Sequence, residues 1–463
     1  MKILNIKNSW FSESDLRLDA SFHLSDGPVT KIKLKKCPYE LTILSKESER
    51  IFSGNIFKRA YVKDEDHGWP YLTGSDMIKS DINSRKYISK KLTNKAQTLK
   101  IQKDWILITC SGTIGNTVYT NDDFEGRVGT HDLIRVIPKE NTIKKGFLYA
   151  YLSSKYGYGL LTQSGYGGVV QHIEPHHIMN LPIPIFPQHL QLEINDLIQS
   201  ASRKRAEANK ILNNSIFFVS ESLKLDNKYQ KVLFGTSSIV SITNNYQKRL
   251  DSPVYVNAGV KTYGELIDKG VAFKTISNLK FKVFRPGIFK RIKVLKQHGL
   301  PYIKGSELNK MNPFNSCEYL SKTKTPFLNE LTLKEGQILF TCAGTVGDIK
   351  LISKEYEEKK AVGSQDIIRI EKGNSEISIE YLFAYLKTEF MYEYIQSLKY
   401  GSVIERVEPF HIDLLPIYVP SKDVYEKVTE SVKKYKDLMY VAFKEEETAI
   451  NLIEKEIESW QKS

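Results

Sequence analysis

The sequence predicts a mixed α/β fold made of two tandem domains of one design and two long helices that pair as an antiparallel coiled coil. Seven sequence blocks occur twice in the same order, with offsets of about 231 to 234 residues. Apolar residues recur at heptad spacing in two runs that contain no proline or glycine. Short β-rich segments end at glycines in each repeat. Because the halves are copies, a pseudo-two-fold relation between them is the natural arrangement.

The clearest repeat is the segment "ILITCSGTIGN" (106–116), which recurs as "ILFTCAGTVGD" (338–348). Its glycines Gly112 and Gly344 are 232 residues apart, whereas solenoid repeats recur every 20 to 50 residues or so. A period of half the chain therefore indicates two whole domains. The other repeated pairs are "RLDASF" and "RLDSPVY", "IFKRAYV" and "IFKRIKV", "GWPYLTGSDM" and "GLPYIKGSEL", "VGTHDLIRV" and "VGSQDIIRI", "FLYAYL" and "YLFAYL", and "YGGVVQHIEPHHIMNLPIPIFP" and "YGSVIERVEPFHIDLLPIYVP".

Each repeat alternates predicted strands and helices. "DWILITCSG" and "GQILFTCAG" are typical of buried strands that end at a glycine turn, with Cys110 and Cys342 as small buried strand residues. "HDLIRVIP" and "QDIIRIEK" predict further strands. "GFLYAYLSSKYGYGLLTQS" and "IEYLFAYLKTEFMYEYIQS" have helical spacing and a tyrosine-rich face. "LPIPIFP" and "LPIYVP" predict extended segments that lead into the long helices.

The predicted domain organisation follows from these patterns. Residues 1–187 and 246–420 form the two mixed bodies, 188–233 the central helix, 234–245 a linker and 421–463 the C-terminal helix. Neither long helix can stay single in water with an exposed apolar stripe, so each is the expected partner of the other. The heptad positions are Leu190, Ile194, Leu197, Ala201, Ala208, Ile211, Ser215, Phe218 and Leu225, interrupted at Lys204, and then Val424, Val428, Tyr435, Met439, Ala442, Ala449, Ile453, Ile457 and Trp460.

Composition limits the function classes. Lysine and arginine exceed aspartate and glutamate by 13, and this excess lies on the two bodies, because the two long-helix segments together sum to −1. Such a charge predicts a polyanionic partner, with a basic solubilising surface as the alternative. No apolar run is long enough to span a membrane, and the start has no signal core, which predicts a cytoplasmic protein. The four cysteines include no Cys-x-x-Cys pair, so neither zinc nor a redox pair is predicted.

The repeated glycine turn is a candidate for contact with phosphate. "SGTIGN" and "AGTVGD" place two glycines three residues apart after a strand, with a threonine between them. Backbone amides and a hydroxyl could approach a phosphate closely there. A tight turn that needs no ligand is the alternative. A nucleotide-binding loop is disfavoured, because neither copy continues into Gly-Lys-Ser/Thr or has the dinucleotide glycine pattern.

No motif in the sequence predicts catalysis. An adenine methyltransferase would need an Asn/Asp-Pro-Pro-aromatic site, and "NPFN" (312–315) lacks the second proline. No glycine-rich loop for S-adenosylmethionine is evident. Glu174-Pro-His176-His177 suggests metal ligands, but its counterpart Glu408-Pro-Phe410-His411 keeps one histidine, which favours structural roles. The chain is therefore interpreted as non-catalytic and free of metal.

Together, the tandem half-repeat, the "TCSGTIGN/TCAGTVGD" segment and the "HIEPHHIMNLPIPIFP/RVEPFHIDLLPIYVP" segments before the heptad runs resemble the specificity subunit of Type I restriction–modification systems. The resemblance extends over nearly the whole chain. It implies that each body is a target recognition domain for half of a split double-stranded DNA sequence, with the helices as a spacer. It also implies two adenine methyltransferase subunits as partners, which bind S-adenosylmethionine, and restriction subunits in a complete phage-defence system.

The predicted DNA contacts occupy equivalent places in the two repeats. They are Lys58, Arg59, Gly112, Thr113, Gly115, Gly167, Gly168 and Gln171 in the first, and Lys290, Arg291, Gly344, Thr345, Gly347, Gly401, Ser402 and Glu405 in the second. For the Lys-Arg pairs a solvated face is the alternative. At the level of function the alternatives are a subunit of a methylation-only or Type IIB-like system, a tandem scaffold that does not bind DNA, and a cryptic nuclease.

Overall fold

The computed structural model describes residues 20–23, 25–83, 85–163, 165, 171–225, 236–244 and 249–460. Two compact units contain these residues. The first unit comprises 1–206 and 441–463, and the second comprises 207–440. Each unit therefore contains one predicted body and one half of each long helix. The central helix is Gln188–Ser222 and the C-terminal helix is Lys422–Ser459.

The first unit contains ten strands and six shorter helices among its described residues. The strands are β1 (Leu41–Ile43), β2 (Ser48–Phe52), β3 (Tyr61–Val62), β4 (Gly68–Leu72), β5 (Tyr87–Ser89), β6 (Ile106–Thr109), β7 (Thr117–Tyr119), β8 (Val128–Gly129), β9 (Leu133–Pro138) and β10 (Pro182–Pro184). The helices are α1 (Ala20–His23), α2 (Asp26–Leu34), α3 (Gly74–Met77), α4 (Lys145–Ser153), α5 (Lys155–Gln163) and α6 (Pro175–Ile178), with 3₁₀ turns at Asn94–Leu99 and Asp122–Phe124.

The described part of the second unit repeats this order. Its strands are β11 (Lys274–Thr275), β12 (Lys282–Phe284), β13 (Gly299–Ile303), β14 (Glu318–Ser321), β15 (Ile338–Thr341), β16 (Ile349–Leu351), β17 (Val362–Gly363), β18 (Ile367–Glu371) and β19 (Pro416–Ile417). Its helices are α7 (Ile239–Asn244, within the predicted linker), α8 (Ala258–Asp268), α9 (Gly305–Leu308), α10 (Leu328–Leu331), α11 (Lys354–Glu358), α12 (Ile379–Leu386), α13 (Glu389–Ser397) and α14 (Pro409–Asp413), with 3₁₀ turns at Ser252–Val254 and Lys296–His298.

The same sheet topology occurs in both units. A four-stranded antiparallel sheet has the order β2-β9-β6-β7 in the first unit and β12-β18-β15-β16 in the second. A second sheet, β3-β5-β4-β8 or β14-β13-β17, contains one parallel pair. The central strands β6 and β15 are buried along their whole length, as their continuous apolar sequences predict. The mixed α/β prediction is confirmed, and Cys110 and Cys342 are buried.

The tyrosine-rich segment after each sheet is a pair of helices, not one continuous helix. In the first unit the break falls at Ser154, whose hydroxyl donates to the Tyr151 carbonyl (2.6 Å) and accepts from the Gly157 amide (3.2 Å). A Cβ at Gly157 would lie 2.1 Å from that same carbonyl, so only glycine fits the start of α5. Thr388 makes the corresponding bonds between α12 and α13. Helical periodicity continues through such a break, and the sequence pattern therefore did not reveal it.

The two long helices confirm the coiled-coil prediction. Within the second unit Glu207 pairs with Lys434 (2.7 Å) and Phe218 lies under Lys427, so the two helices run antiparallel. The buried stripe of the central helix follows strict heptad spacing, through Ile194, Ile198, Ala201, Arg205, Ala208, Leu212, Ser215 and Val219. The sequence interpretation assigned the interruption to Lys204. The structure instead buries Arg205, because the stripe passes through Ile198 and Leu212. Among the described residues, no helix is both long and apolar enough to cross a membrane.

A polar cluster interrupts this stripe in the first unit. Arg205 forms an ion pair with Glu446, which also accepts a hydrogen bond from the Tyr149 hydroxyl. Burial acts to lower the pKa of Arg205, but attraction to Glu446 outweighs it and the pKa is raised. Lys204 pairs with Glu445 beside the cluster (2.6 Å). At the 234-residue offset, the second unit has Phe383, Met439 and Leu212 in the places of Tyr149, Arg205 and Glu446.

We expect single replacements at this cluster to destabilise the first unit strongly. Arg205→Met or Glu446→Leu leaves one buried charge without its partner, at a cost of about 3–5 kcal/mol. The double variant should recover most of that loss, because it reproduces the apolar pair Met439 and Leu212 of the second unit. Tryptophan fluorescence during urea unfolding is the measurement, since the three described tryptophans, Trp69, Trp105 and Trp460, fall in the first unit. Additive losses in the double variant would contradict this expectation.

Candidate nucleic-acid interface

The repeated glycine turns connect β6 to β7 and β15 to β16. Thr109 closes the first turn: its hydroxyl accepts from the Asn116 amide (3.0 Å) and donates to the Thr113 carbonyl (2.6 Å). Thr341 donates to the Thr345 carbonyl in the second unit. All four glycines of the two turns have positive φ, between 72° and 94°, which explains why glycine occupies these positions. The sequence motif therefore specifies a turn geometry.

The glycines within each turn face different surroundings. A Cβ at Gly112 or Gly344 would meet no heavy atom within 4 Å, and both are exposed together with the following threonines, Thr113 and Thr345. The second glycines, Gly115 and Gly347, are buried and lie against side chains of α5 and α13. A Cβ at Gly115 would lie 2.6 Å from Thr162, and a Cβ at Gly347 would lie 2.9 Å from Gln396. Of the predicted contacts in the turns, the first glycine and the threonine are accessible to a ligand.

A downstream segment is hydrogen-bonded to each turn. The Gly112 amide donates to the Gln171 carbonyl (3.1 Å), and the Gly344 amide donates to the Glu405 carbonyl (3.3 Å). These amides are therefore already engaged within the protein. In both units the structure thus brings together two groups of residues that the sequence predicted separately. Gly167 and Gly168 lie outside the described residues.

The counterparts of that glycine pair, Gly401 and Ser402, begin an exposed hairpin. Tyr400 and Arg406 exchange two backbone hydrogen bonds, of 3.0 and 2.8 Å. Gly401 has φ of 99°, and a Cβ there would lie 2.6 Å from the Ile404 carbonyl oxygen. The Gly344–Glu405 hydrogen bond and the bridge between Ala343 and Arg406 place the exposed turn next to this exposed hairpin.

The Lys-Arg pairs lie on a segment without regular structure, the Lys-Arg loop, at 53–60 in the first unit and 285–292 in the second. Lys58 and Lys290 are exposed. The arginines lie beside acidic groups instead: Arg59 is 3.6 Å from Asp132, and Arg291 is 3.5 Å from Asp366. The lysines are therefore better placed to contact a phosphate than the arginines are.

In each unit a buried arginine holds the chain segment that contacts the Lys-Arg loop. The sequence analysis did not predict these arginines. Arg135 on β9 is fully buried and donates to the carbonyls of Gly129 and Thr130, both at 3.1 Å. Arg369 donates in the same way to the carbonyls of Gly363 (3.1 Å) and Ser364 (3.3 Å). Burial lowers the pKa of each arginine to about 10. Among the described residues, no carboxylate lies within ion-pair distance of either guanidinium group.

These arginines fix the short segments 129–132 and 363–366, which carry the aspartates paired with Arg59 and Arg291. A Cβ at Gly129 or Gly363 would lie 2.8 Å from the guanidinium group, so glycine is required at both positions. The available signal was an arginine within the apolar strands "LIRV" and "IIRI", present in both repeats. A charged residue at a central strand position indicates a specific set of hydrogen-bond acceptors.

The glutamate–histidine motifs form helix caps in the structure. His177 and His411 accept, through Nδ1, from the backbone amides of Glu174 (2.9 Å) and Glu408 (2.8 Å) at the starts of α6 and α14. Arg285 lies 3.2 Å from the Glu408 carboxylate. Burial, and secondarily the charge of Arg249, lowers the pKa of His411 to about 4. Within the described residues, no group of three or more histidine, cysteine, aspartate or glutamate side chains could hold a metal ion.

Comparisons with known proteins agree with this duplicated architecture. The family model described as Type I restriction modification DNA specificity domain matches residues 46–246 and again 270–448. No curated protein sequence matches the chain.

Three solved structures are similar at low sequence identity. The S subunit of a Type I restriction–modification system from M. genitalium shares 13% identity over 92% of this chain and 96% of its own, with a TM-score of 0.36. The HsdS subunit from Thermoanaerobacter tengcongensis shares 10% over 90% and 96%, with a TM-score of 0.27. A chain from a study of complex assembly and conformational transition of the type I R-M system shares 12% over 92% and 97%, with a TM-score of 0.27.

We expect the buried His411 to make the second unit less stable in acid. Its folded pKa of about 4 lies below the ordinary value near 6.5, so the folded state binds fewer protons than the unfolded state. The corresponding stability is fully present above about pH 6.5 and is lost as the pH falls toward 4. Between pH 7 and pH 5 the loss should be about 2 kcal/mol.

Urea unfolding followed by circular dichroism at several pH values measures this loss. His411→Gln should be less stable at neutral pH but should lose less stability on acidification. Replacing the exposed His189 of the central helix by glutamine is the matched control and should keep the wild-type pH dependence. An equal acid response in wild type and His411→Gln would rule out this role for His411.

Proposed function

The chain belongs to the Type I restriction modification DNA specificity family, and we propose that each of its two units recognises its own half of a bipartite DNA sequence. Membership of this family makes the chain a non-catalytic DNA-recognition subunit that assembles within a restriction–modification complex. The observation that carries the proposal is that the specificity-domain model matches twice, once over each repeat. Two specificity domains with diverged loops provide two separate recognition surfaces.

We further propose the composition of the complex. Two adenine methyltransferase subunits, which supply S-adenosylmethionine, would bind one chain, because the chain offers two copies of the same architecture. Restriction subunits would join in a complete system, and the complex would act in the cytoplasm. The long helices would serve as the spacer between half-sites. The predicted domain boundaries, at 187, 233, 245 and 420, remain part of this proposal.

The proposed DNA contacts are the accessible residues of the duplicated surface. They comprise the exposed turn residues, the segment bonded to each turn, and the exposed lysines of the Lys-Arg loops. A net charge of +13 supports a polyanionic partner. These contacts are Gly112, Thr113, Gln171, Gly344, Thr345, Gly401, Ser402, Glu405, Lys58 and Lys290. The proposal also includes the buried Gly115 and Gly347, Arg59 and Arg291 beside their aspartates, and Gly167 and Gly168, which lie outside the described residues.

The direct test is to express the chain in a host with and without its methyltransferase partners and to sequence the methylome. A bipartite methylated motif that requires both the chain and the partners is expected. Methylation by the purified chain alone would contradict the non-catalytic assignment. A motif with no restriction of unmodified DNA would indicate a methylation-only system, and cleavage by the chain alone with Mg²⁺ would indicate a nuclease.

Exchanging one body should change one half of the target. A chimera that takes residues 1–187 from a relative should keep Tyr39 and Tyr149, because they donate hydrogen bonds to Glu456 (2.7 Å) and Glu446 of the C-terminal helix. The methylated motif should then change in one half-site only. The reciprocal exchange of 246–420 is the control and should change the other half. Alteration of both halves by one exchange would refute two independent recognition surfaces.

Removing a phosphate contact should weaken binding to all sequences alike. For Lys58→Ala and Lys290→Ala, the slope of log affinity against log salt concentration should fall by about one unit each. Lys103→Ala is the matched control, because Lys103 pairs with Asp122 at 2.8 Å, and its slope should match that of the wild type. Fluorescence anisotropy on a duplex of random sequence provides the measurement. An unchanged slope would remove Lys58 and Lys290 from the interface.

A further inference from the structure

Both Lys-Arg loops expose one large apolar side chain almost completely. Ile56 has 85% of its surface exposed, and Ile288, its counterpart in the repeat, has 84%. A single exposed isoleucine needs no explanation. Here the same exposure recurs at the same place in two loops whose neighbouring residues differ: Gly54-Asn55 precedes the first isoleucine and Pro286-Gly287 the second.

The exposure does not result from a loosely held loop. Phe57, the next residue, packs edge-on against Tyr71 and His131, with ring centroids 6.4 and 6.1 Å away. Phe289 is buried in a cluster that includes Tyr302 and Val362. An aromatic anchor thus fixes the backbone beside each isoleucine.

The arginines provide a second anchor. Arg59 donates to the Thr130 hydroxyl (3.3 Å) and lies beside Asp132, while Arg291 lies beside Asp366. These partners belong to the segments that the buried arginines Arg135 and Arg369 hold. Each isoleucine is therefore presented by a loop that is ordered before any ligand binds, which reduces the entropy cost of binding.

The residues of each loop segment differ in what their side chains contact. Phe57 packs on aromatic rings and Arg59, although its side chain is 37% exposed, donates to Thr130, while Ile56 and Lys58 are exposed. In the second unit Phe289 is buried and Arg291, 38% exposed, lies beside Asp366, while Ile288 and Lys290 are exposed. An apolar side chain and a cation thus stand side by side on the outer surface of each unit.

An apolar side chain beside a cation matches a DNA groove, which presents base edges along its floor and phosphates along its rims. Phosphates attract the lysine, whereas an aliphatic side chain can contact a thymine methyl group or the face of an unstacked base. We propose that Ile56 and Ile288 make apolar contacts with bases, one in each half-site, while Lys58 and Lys290 contact the flanking phosphates. This inference rests on the proposed function, and it assigns base recognition to residues outside the glycine turns.

The test uses the full chain assembled with its methyltransferase partners. The probes are the duplex that carries the motif found by methylome sequencing and a duplex of the same length and random sequence. Ile56→Asn and Ile288→Asn should each weaken binding to the specific duplex roughly tenfold, the order expected when one such side chain no longer buries its surface. Binding to the random duplex should stay unchanged. Ile56→Leu, which keeps an apolar side chain, should retain most of the specific affinity.

The base pair at which each variant loses its sequence preference provides a second measurement. Competition with duplexes that carry every single base-pair change should show that Ile56→Asn abolishes a preference in one half-site and Ile288→Asn in the other. Uracil in place of thymine at that position identifies a methyl contact, and increased fluorescence of 2-aminopurine there identifies an unstacked base. Leu92→Asn is the matched control, because Leu92 is 71% exposed in the first unit but the equivalent position of the repeat is Lys324.

Two outcomes would overturn the inference. Specific affinity unchanged in both isoleucine variants, or equal losses on specific and random duplexes, would exclude base contacts by these residues. Either result would leave the proposed function intact if the wild-type complex still prefers its motif. If the wild-type complex shows no preference for any duplex, the proposed function fails and the inference fails with it.

Discussion

The burial of one heptad stripe on each long helix is the constraint on which the rest of the structure depends. Each unit completes its core with residues from both helices. In the first unit Ile194 and Ile198 of the central helix join Ala449, Ile453 and Ile457 of the C-terminal helix around the tyrosine-rich helix α4. The C-terminal helix is therefore part of the first unit's core. Folding of that unit requires residues more than 400 positions apart in the sequence, and the local repeats alone cannot complete it.

The ion pair between Arg205 and Glu446 makes this stripe asymmetric. Because the halves are copies, a central helix could in principle pair with a second central helix. Such a pair would place Arg205 opposite Leu212, the repeat equivalent of Glu446, and would bury a charge without a partner. That penalty is several kcal/mol. The cluster contributes little net stability relative to an apolar seam, but it favours the pairing of the central helix with the C-terminal helix over pairing with its own copy.

Sequence periodicity and repetition predicted the elements that depend on local pattern. The heptad runs, the buried central strands and the two-domain organisation belong to this group. Two features were missed because they depend on particular hydrogen bonds, which periodicity does not reveal. The hydroxyl of Ser154 ends α4 by bonding to the Tyr151 carbonyl, although helical spacing continues through the break. Arg135 can be buried because the carbonyls of Gly129 and Thr130, six and five residues earlier, accept its hydrogen bonds, and apolar spacing does not identify these acceptors.

The sequence predicted the location of the candidate site but not the contacts within it, because those contacts are also particular hydrogen bonds and packing interactions. Glycine spacing identified the turns, but only the structure shows that the Gly112 amide is engaged and that Gly115 packs against α5. The supporting contacts are made by backbone carbonyls, a glycine and an arginine–aspartate pair, none of which depends on the base sequence that is recognised. The exposed side chains of the turns and the Lys-Arg loops take no part in these supporting contacts. Such a division allows the outward residues to be substituted, and the DNA preference to change, while the supporting framework keeps its geometry.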